Sequence, residues 1–446
     1  MNKYNIKFFL KLINNQFIKY FDRIKAGSKS EIVSGSVWIF LGSSLSKLIF
    51  MISGIVAANI LGIEKYGELG IARSSVNMFV VVATAGLGIT STKFIAQYLN
   101  IDNIKVQSSI KVINVFSISV TLFLSFILIV FSSFIAKEFL NAPFLEDIIK
   151  VGAVMLFFSS LNAVQLGTLY GFSDYKQIAI NSLISAICEI LFLSIGAYYY
   201  GVKGAILGSG FSFIIFYFLN YFSLKKHYRI HNFTFKRHLK LSDFDIIWQF
   251  AIPAALSSFL VVPSLWFIKS ILVRKSGFSE LSIFDIAEQW RMLILFIPYS
   301  VGRIVLPFLS KFEGVGNINK QVSTIKKMII LNVLITIALT LLIFCFSEYI
   351  MNFYGQDFVN ELPLILMSIS TIFSSVANVV GQVIASKSKM WIGFVFNLFW
   401  SIVLIVSSTY FLNLGYGATA LASAILLSYF LHSIIQVFYV YQLLKK

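Results

Sequence analysis

Long apolar runs follow one another along almost the whole chain, and short polar connections separate them. Each run has the roughly 20 residues that an α-helix needs to cross the hydrocarbon core of a bilayer. The longest polar connection, residues 225–240, lies between the sixth run and the seventh. The pattern predicts twelve membrane-spanning helices, at residues 33–61, 69–92, 111–136, 148–171, 177–199, 203–224, 246–273, 283–309, 325–347, 362–386, 390–412 and 417–441.

The first thirty residues have a different pattern. Phe8, Leu12, Ile13 and Phe17 recur at helical spacing among lysine and arginine residues. This spacing predicts an amphipathic helix on the surface of an anionic membrane. A disordered basic tail is the alternative. In either case, residues 1–30 form a cytoplasmic segment ahead of the first span.

The composition excludes a water-soluble fold. Apolar residues make up 58% of the 446 residues and charged residues 12%, whereas soluble proteins have about 25% charged residues. The motifs HExxH, GxxxxGK[ST], GxSxG and GxGxxG are absent from the sequence, so nothing in it indicates a nucleotide-driven motor or a hydrolase. We therefore expect a membrane protein that is not an enzyme, has no metal or other cofactor and binds no nucleic acid.

The distribution of basic residues predicts the orientation of the chain. With a cytoplasmic N-terminus, the cytoplasmic segments hold 25 of the 36 Lys and Arg residues, the outer segments hold six and the spans hold five. Cytoplasmic loops of membrane proteins are enriched in Lys and Arg. The formal net charge of +17 therefore indicates loop asymmetry rather than binding to nucleic acid, and both termini are predicted to be cytoplasmic.

The two halves of the chain resemble each other at an offset of 215 residues. The sequence SSIK at 108–111 corresponds to STIK at 323–326, and FSS at 158–160 recurs at 373–375. Near the ends of the halves the offset is 214, where GVKGAIL at 201–207 corresponds to GYGATAL at 415–421. The repeat predicts an all-α membrane fold of two six-helix lobes, 31–225 and 246–446, joined by a basic cytoplasmic linker, 226–245. Parallel repeats of this kind are related by an axis along the membrane normal and enclose a central cavity, as alternating access requires.

Charged residues inside the spans are the candidate binding and coupling residues. A charge in hydrocarbon is costly, so it usually faces a cavity or a partner. We expect an electropositive cleft that binds an anionic head group such as a diphosphate, with ion or proton coupling by the acids. The candidate cations are Lys47, Arg73, Lys269, Arg291 and Arg303, and the candidate acids are Glu189, Asp285 and Glu288.

Structural roles for several of these charges are the alternative. Arg73 and Lys269 lie near span ends, where their side chains can extend to the interface. Arg291 lies one helical turn from Glu288 and can pair with it. Lys47 and Glu189 are predicted to lie at similar depths and can neutralise each other. Arg303 has no acid nearby in its own span, which favours a cavity position.

Uncharged residues in the spans extend this picture. Asn162, Asn378 and Gln382 can bond to sugar hydroxyl groups, although such amides more often join helices to each other. Prolines interrupt the seventh and eighth spans, and a proline inside a helix bends it. We expect them to act as gates, with static kinks as the alternative; they are Pro253, Pro263, Pro298 and Pro307.

Four segments of the chain resemble bacterial polysaccharide repeat-unit flippases, also called O-antigen translocases. They are SGSVWIFLGSSLSKLIFMISGIVAANILGIEKYGELGIA, GLGITSTKFIAQ, LGTLYGFSDYKQIAINSLI and GYGATALASAILLS. The superfamily also contains multidrug and toxic-compound extruders. The resemblance implies a multidrug-extruder-like fold in the bacterial cytoplasmic (inner) membrane. It also implies translocation of undecaprenyl-diphosphate-linked oligosaccharide to the outer leaflet, for O-antigen, capsule or exopolysaccharide synthesis.

The same resemblance implies coupling to an ion gradient of protons or sodium, cationic cavity residues and contacts with other polysaccharide-assembly membrane proteins. Three other functions stay open. A multidrug extruder of the same superfamily would prefer an acidic cleft for cationic substrates. A membrane polysaccharide polymerase or glycosyltransferase would need a larger outer loop. A passive scaffold in a polysaccharide-assembly complex is the third.

Overall fold

The computed structural model describes residues 31–445, apart from 85, 100, 237–238, 252–259, 315–317 and 388. The predicted amphipathic segment 1–30 lies outside the described residues. Helices form almost all of the described chain. They are α1 (Glu31–Thr84), α2 (Leu87–Tyr98), α3 (Asn103–Phe134), α4 (Glu146–Gly171), α5 (Tyr175–Ile230), α6 (Val261–Ser276), α7 (Phe278–Gly314), α8 (Ile318–Asn352), α9 (Leu362–Ser386), α10 (Met390–Asn413) and α11 (Gly417–Lys445).

Two of the helices are twice as long as one crossing requires. Helix α1 has 54 residues and α5 has 56, so each would measure about 80 Å if it were straight, against about 30 Å for the hydrocarbon core. Each is broken at a glycine with positive φ, Gly62 (φ 76°) and Gly201 (φ 58°), a conformation that glycine adopts without strain. Helix α5 therefore contains two of the predicted spans, and α1 contains the first span and most of the second.

The two halves of α5 form a tight antiparallel hairpin. A Cβ atom on Gly204 would lie 2.0 Å from the carbonyl oxygen of Gly196, and one on Gly208 would lie 2.2 Å from that of Phe192. Small residues four apart allow helix backbones to approach closely in membranes. Gly204 and Gly208 therefore form a small-residue seam between the two halves of α5.

The apolar runs predicted from the sequence correspond to these helices. Within the described residues, seven helices are long and apolar enough to span a membrane, and two of these seven contain the turns at Gly62 and Gly201. Helices α4, α6 and α7 are not among these seven helices. Helix α7 carries Asp285, Glu288 and Arg291, while α6 has only 16 residues. The expected all-α membrane fold is confirmed.

The chain alternates between two ends of the helix bundle. We call the end with the turns at Gly62, Gly201 and Gly277 the Gly62 end, and the opposite end, with residues 226–245, the linker end. Described hydrogen bonds join the two lobes between the Gly62 end and mid-bundle. They are Asn59 Nδ2 to Phe353 O (2.7 Å), Ser282 Oγ to Ile63 O, Gln289 Nε2 to Tyr66 Oη (2.8 Å) and Trp266 Nε1 to Ser75 Oγ (2.9 Å). Away from that end, the rings of Phe40 and Phe296 stack with centroids 5.8 Å apart.

The linker is attached to the first lobe. The backbone amides of Thr234 and Phe235 donate to Gln107 Oε1 at 3.0 and 2.8 Å. His227 and Asp174 bond at 2.7 Å, and this bond lowers the pKa of the Asp174 carboxyl group. The short π-helical turn Ile247–Ala251 also packs against the first lobe, in a cluster with Leu87, Val112 and Ile113.

The prolines lie at different kinds of position. Pro253 lies outside the described residues. Pro263 is the third residue of α6, within the first turn, where a helix needs no backbone N–H bond from it. Helix α7 continues through Pro298 and Pro307, and Pro298 is buried. Their role as gates stays a prediction.

We expect Gly204→Ala to destabilise the protein. Its new methyl group would lie 2.0 Å from a backbone oxygen of the facing helix, and overpacking of this kind typically costs about 1–3 kcal/mol. Gly210→Ala is the matched control, because its methyl group would meet no atom closer than 3.8 Å. Thermal unfolding in detergent measures both variants, and equal midpoints would contradict the tight hairpin.

Candidate functional site

A cavity of about 630 Å³ lies between the two lobes. Helix α1 lines it from the first lobe, and helices α6 and α7 line it from the second. Three cations and two carboxylates face it: Lys47, Arg73, Lys269, Asp285 and Glu288. Charged groups from distant parts of the sequence therefore meet in one space inside the membrane region.

The cavity follows the internal repeat. Its lining positions in α1 and α7 share the spacing i, i+3, i+4 and i+7, which places them on one face of each helix. Six lining positions of the first lobe have equivalents in the second at an offset of 215. The pairs are Lys47 and Val262, Phe50 and Leu265, Gly70 and Asp285, Arg73 and Glu288, Ser74 and Gln289, and Asn77 and Met292.

The wall from the first lobe is cationic. Arg73 Nη2 donates to Glu189 Oε1 at 2.7 Å and to Ser209 Oγ at 2.6 Å. Ser209 and Ser212 donate to the two carboxylate oxygens of Glu189, at 2.8 and 2.5 Å. Glu189 is 4% exposed, whereas 25% of the Arg73 side chain stays exposed at the cavity.

Lys47 adds a second cation to this wall. The residue is exposed, and its Nζ lies 4.2 Å from the centre of the Phe296 ring on the opposite lobe. The sequence offered Lys47 as a partner for Glu189, but the structure pairs Glu189 with Arg73. The Arg73 side chain is therefore held by Glu189 and does not simply extend to the membrane–water interface.

The wall from the second lobe has the opposite balance of charge. Lys269 Nζ lies 2.5 Å from Glu288 Oε2 and 2.9 Å from Asp285 Oδ1. With both carboxylates ionised, this group carries a net charge of −1. Lys269 is only 7% exposed, so the idea that it extends to the interface is wrong. A Cβ atom on Gly70 would lie 2.0 Å from Asp285 Oδ2, so the glycine makes room for the carboxylate.

Arg291 lies inside the second lobe and does not line this cavity. It is 3% exposed, its Nε donates to Ser370 Oγ at 3.0 Å, and its Nη2 donates to Ser374 Oγ at 2.9 Å. The guanidinium group also lies 4.7 Å from the centre of the Tyr429 ring. The suggested pairing with Glu288 is wrong, because Glu288 binds Lys269 instead.

The remaining candidates are placed elsewhere. Arg303 belongs to α7, and only its backbone is described. Asn162 Nδ2 donates to Phe213 O at 2.9 Å, and Asn162 is 2% exposed, so it joins α4 to α5 and lines neither of the two cavities described here. Asn378 and Gln382 line a second cavity of about 290 Å³ inside the second lobe. In the described part of the chain, no three His, Cys, Asp or Glu side chains come together as metal ligands would.

Two further cavity residues, Tyr66 and Gln289, are not among the candidates predicted from the sequence. Gln289 lines the cavity, donates to Tyr66 Oη and accepts from Tyr354 Oη at 3.2 Å. The internal repeat contained the signal for Gln289. It lies one residue after Glu288 on the same helical face, and its equivalent position, Ser74, follows Arg73.

The family model described as "Polysaccharide biosynthesis protein" matches residues 32–313, which is more than half of the chain. The chain belongs to this polysaccharide biosynthesis protein family. This family member also matches the MatE model, over residues 253–411. The expected family membership is confirmed.

Two curated relatives of this polysaccharide biosynthesis protein are export proteins. The EPS I polysaccharide export inner membrane protein EpsE of Ralstonia solanacearum is 27% identical over 186 residues, covering 40% of this chain and 42% of the relative. Its counterpart in Ralstonia nicotianae is 24% identical over 190 residues, covering 41% and 43%. The matches thus span less than half of each relative's length.

Solved structures share the fold over nearly the whole chain. An inward-facing multidrug resistance MATE family transporter of the MOP superfamily superimposes with a TM-score of 0.77 at 16% identity, covering 94% of this chain and 98% of the other. An outward-facing structure of such a transporter gives 0.67 at 17% identity, covering 93% and 95%. The expected multidrug-extruder-like fold of this polysaccharide biosynthesis protein is confirmed.

We expect Glu189→Leu to destabilise the first lobe strongly. Removing one partner of a buried ion pair leaves an uncompensated charge and costs about 3–5 kcal/mol. The double variant Arg73→Met with Glu189→Leu should recover most of that loss, because it leaves no buried charge. Thermal unfolding of the three proteins gives the comparison. A double variant no more stable than Glu189→Leu would contradict the pairing.

Proposed function

We propose that this protein is a flippase that moves undecaprenyl-diphosphate-linked oligosaccharide from the cytoplasmic to the outer leaflet of the bacterial cytoplasmic membrane. The cavity between the lobes, with cations on its first-lobe wall, is the observation that carries the proposal. Membership of the polysaccharide biosynthesis protein family and the export function named for the Ralstonia relatives support it. The diphosphate and the sugars travel through the cavity while the polyprenyl chain stays in the lipid.

The diphosphate binds next to the first-lobe wall. Lys47 and Arg73 face the cavity from that side, and ammonium and guanidinium groups form strong charge-assisted hydrogen bonds with phosphate oxygens. The second-lobe wall, with two carboxylates for one lysine, repels an anion. This difference between the walls orients the head group, so its sugars extend toward the second lobe.

Substrate enters from the cytoplasm in the conformation described here. The described hydrogen bonds between the lobes lie from the Gly62 end to mid-bundle. The distribution of Lys and Arg predicts that the Gly62 end faces the outside of the cell. The fold is also closer to the inward-facing transporter (TM-score 0.77) than to the outward-facing one (0.67). Breaking the contacts at Ile63 and Tyr66 opens the cavity to the outside.

The group formed by Lys269, Asp285 and Glu288 couples the cycle to a proton gradient. One lysine cannot neutralise two carboxylates, so this group takes up one proton without losing its cation. Asp285 also lies against Gly70 of the opposite lobe. Protonation therefore changes the charge at the contact that separates when the lobes rock.

Replacement of the exposed cation should lower transport. We expect Lys47→Gln to reduce flipping by about tenfold or more, because a hydrogen bond to a charged group is worth about 1.5–3 kcal/mol and each 1.4 kcal/mol is about tenfold. The assay uses proteoliposomes with a fluorescent polyprenyl-diphosphate-linked oligosaccharide. An impermeant quencher then measures how much of this lipid reaches the outer leaflet. Lys65→Gln, at an exposed position outside the cavity, is the control and should behave as wild type.

Neutralisation of the acidic group should uncouple transport from the gradient. We expect Asp285→Asn and Glu288→Gln to lose the stimulation that an imposed pH gradient gives the wild type, while slow flipping without a gradient continues. Glu64→Gln, exposed near the Gly62 turn, is the control. Stimulation that persists in both cavity variants contradicts this site, and stimulation by a sodium gradient alone contradicts proton coupling.

Extrusion of cationic drugs is the second candidate function. The match to the MatE model and the carboxylates on the second-lobe wall favour it. The same vesicles can be loaded with a fluorescent cationic drug. If a gradient drives drug movement and the protein does not flip the lipid-linked oligosaccharide, its function is that of a drug extruder and not of a flippase.

A further inference from the structure

The second lobe contains a polar cavity that the transport cycle above does not use. It has a volume of about 290 Å³ and lies among α7, α9, α10 and α11. Its described lining residues include no Lys, Arg, Asp or Glu. Hydroxyl and amide groups dominate it, from Tyr299, Ser374, Asn378, Gln382, Tyr429 and Gln436.

Two hydrogen-bond acceptors in this lining have no donor in the described part of the chain. They are Oε1 of Gln436 and Oδ1 of Asn378, and Gln436 is 4% exposed. A buried polar atom without a partner costs about 1–3 kcal/mol. Such atoms favour a ligand that donates hydrogen bonds.

The positive charge of Arg291, behind the cavity wall, restricts the charge that a ligand can carry. Arg291 lies behind the lining residues Ser374 and Tyr429, and in the described residues no carboxylate lies within 4 Å of it to form a salt bridge. Its positive charge disfavours a metal cation in the cavity. An ionised carboxylate or a phosphate diester has no proton to donate to Gln436 and Asn378. An uncharged hydroxyl-bearing molecule meets both conditions.

Buried amides also occur in the first lobe, where they bond to one another. Asn181 Nδ2 donates to Asn220 Oδ1 at 2.9 Å, and Asn220 Nδ2 donates to Asn162 Oδ1 at 3.4 Å. In the second lobe, the side-chain oxygens of Asn378 and Gln436 have no such partner among the described residues.

We propose that this cavity is a subsite for one uncharged sugar ring of the translocated glycan. Ligand pockets usually have about 300–1,000 Å³, so a volume of about 290 Å³ suits a single ring rather than an oligosaccharide. Amides and tyrosine hydroxyls exchange hydrogen bonds with ring hydroxyls, and the tyrosine rings contact its C–H faces. The assignment of the ring to a glycan rests on the proposed flippase function, whereas binding of the ring does not.

Saturation-transfer NMR of the full chain in lipid nanodiscs tests the subsite. The probes are the neutral methyl glycosides of glucose, galactose, mannose and N-acetylglucosamine, with glucuronate and inorganic phosphate for comparison. We expect at least one glycoside to bind, and Gln436→Met and Gln382→Met each to weaken it about fivefold, as the loss of a hydrogen bond of about 1 kcal/mol implies. Gln436→Met should keep wild-type stability, because its Oε1 has no described partner to lose.

Lys47→Gln, in the central cavity, is the matched control and should bind the glycoside as wild type does. Three results would overturn the subsite: no glycoside binds, glucuronate or phosphate competes as strongly as the glycoside, or Lys47→Gln removes binding while Gln436→Met does not. A requirement for sodium in glycoside binding would overturn the subsite as well, because the charge of Arg291 disfavours a metal cation in this cavity. Glycoside binding by a protein that flips no lipid-linked oligosaccharide would reject the flippase and retain the sugar site.

Discussion

The cost of placing charge between membrane helices shapes this molecule more than any other constraint. A cation at the centre of a bilayer costs at least about 2.5–3.5 kcal/mol on insertion scales, so it needs a partner or water. Arg73 binds Glu189 and Ser209, while Lys269 binds two carboxylates. Both groups lie at the inner surfaces of the lobes, and the cavity between the lobes follows from their positions.

The repeat makes the two walls similar in shape, and sequence divergence makes them different in charge. The clearest case is the equivalent pair Arg73 and Glu288, which carry opposite signs at matching positions. At another matching position, Gly70 leaves the space that Asp285 fills. Two lobes of similar backbone shape therefore enclose a cavity whose two walls differ in charge. Lobes with identical side chains would lack this difference.

Hydropathy predicted most helices of the described chain because burial in lipid imposes one rule on every span, and the positive φ at Gly62 and Gly201 marks where two predicted spans join. The partners of the charged residues were less predictable. Arg73 and Glu189 are 116 residues apart, and their rotation about the helix axes decides whether they meet. Helical spacing suggested Glu288 for Arg291, but packing turned Arg291 toward Ser370 and Ser374.

The sequence separation within the Arg73–Glu189 pair has a consequence for biosynthesis. Ribosomes add about 5–20 residues per second, so the 116 residues between the two partners take about 6–23 s to synthesise. During that time the arginine is in the translocon or the bilayer without its carboxylate. Lys269 is without its partners for a much shorter time, because Asp285 and Glu288 follow it within 19 residues. The first lobe is therefore the one whose assembly depends on protection of a nascent span.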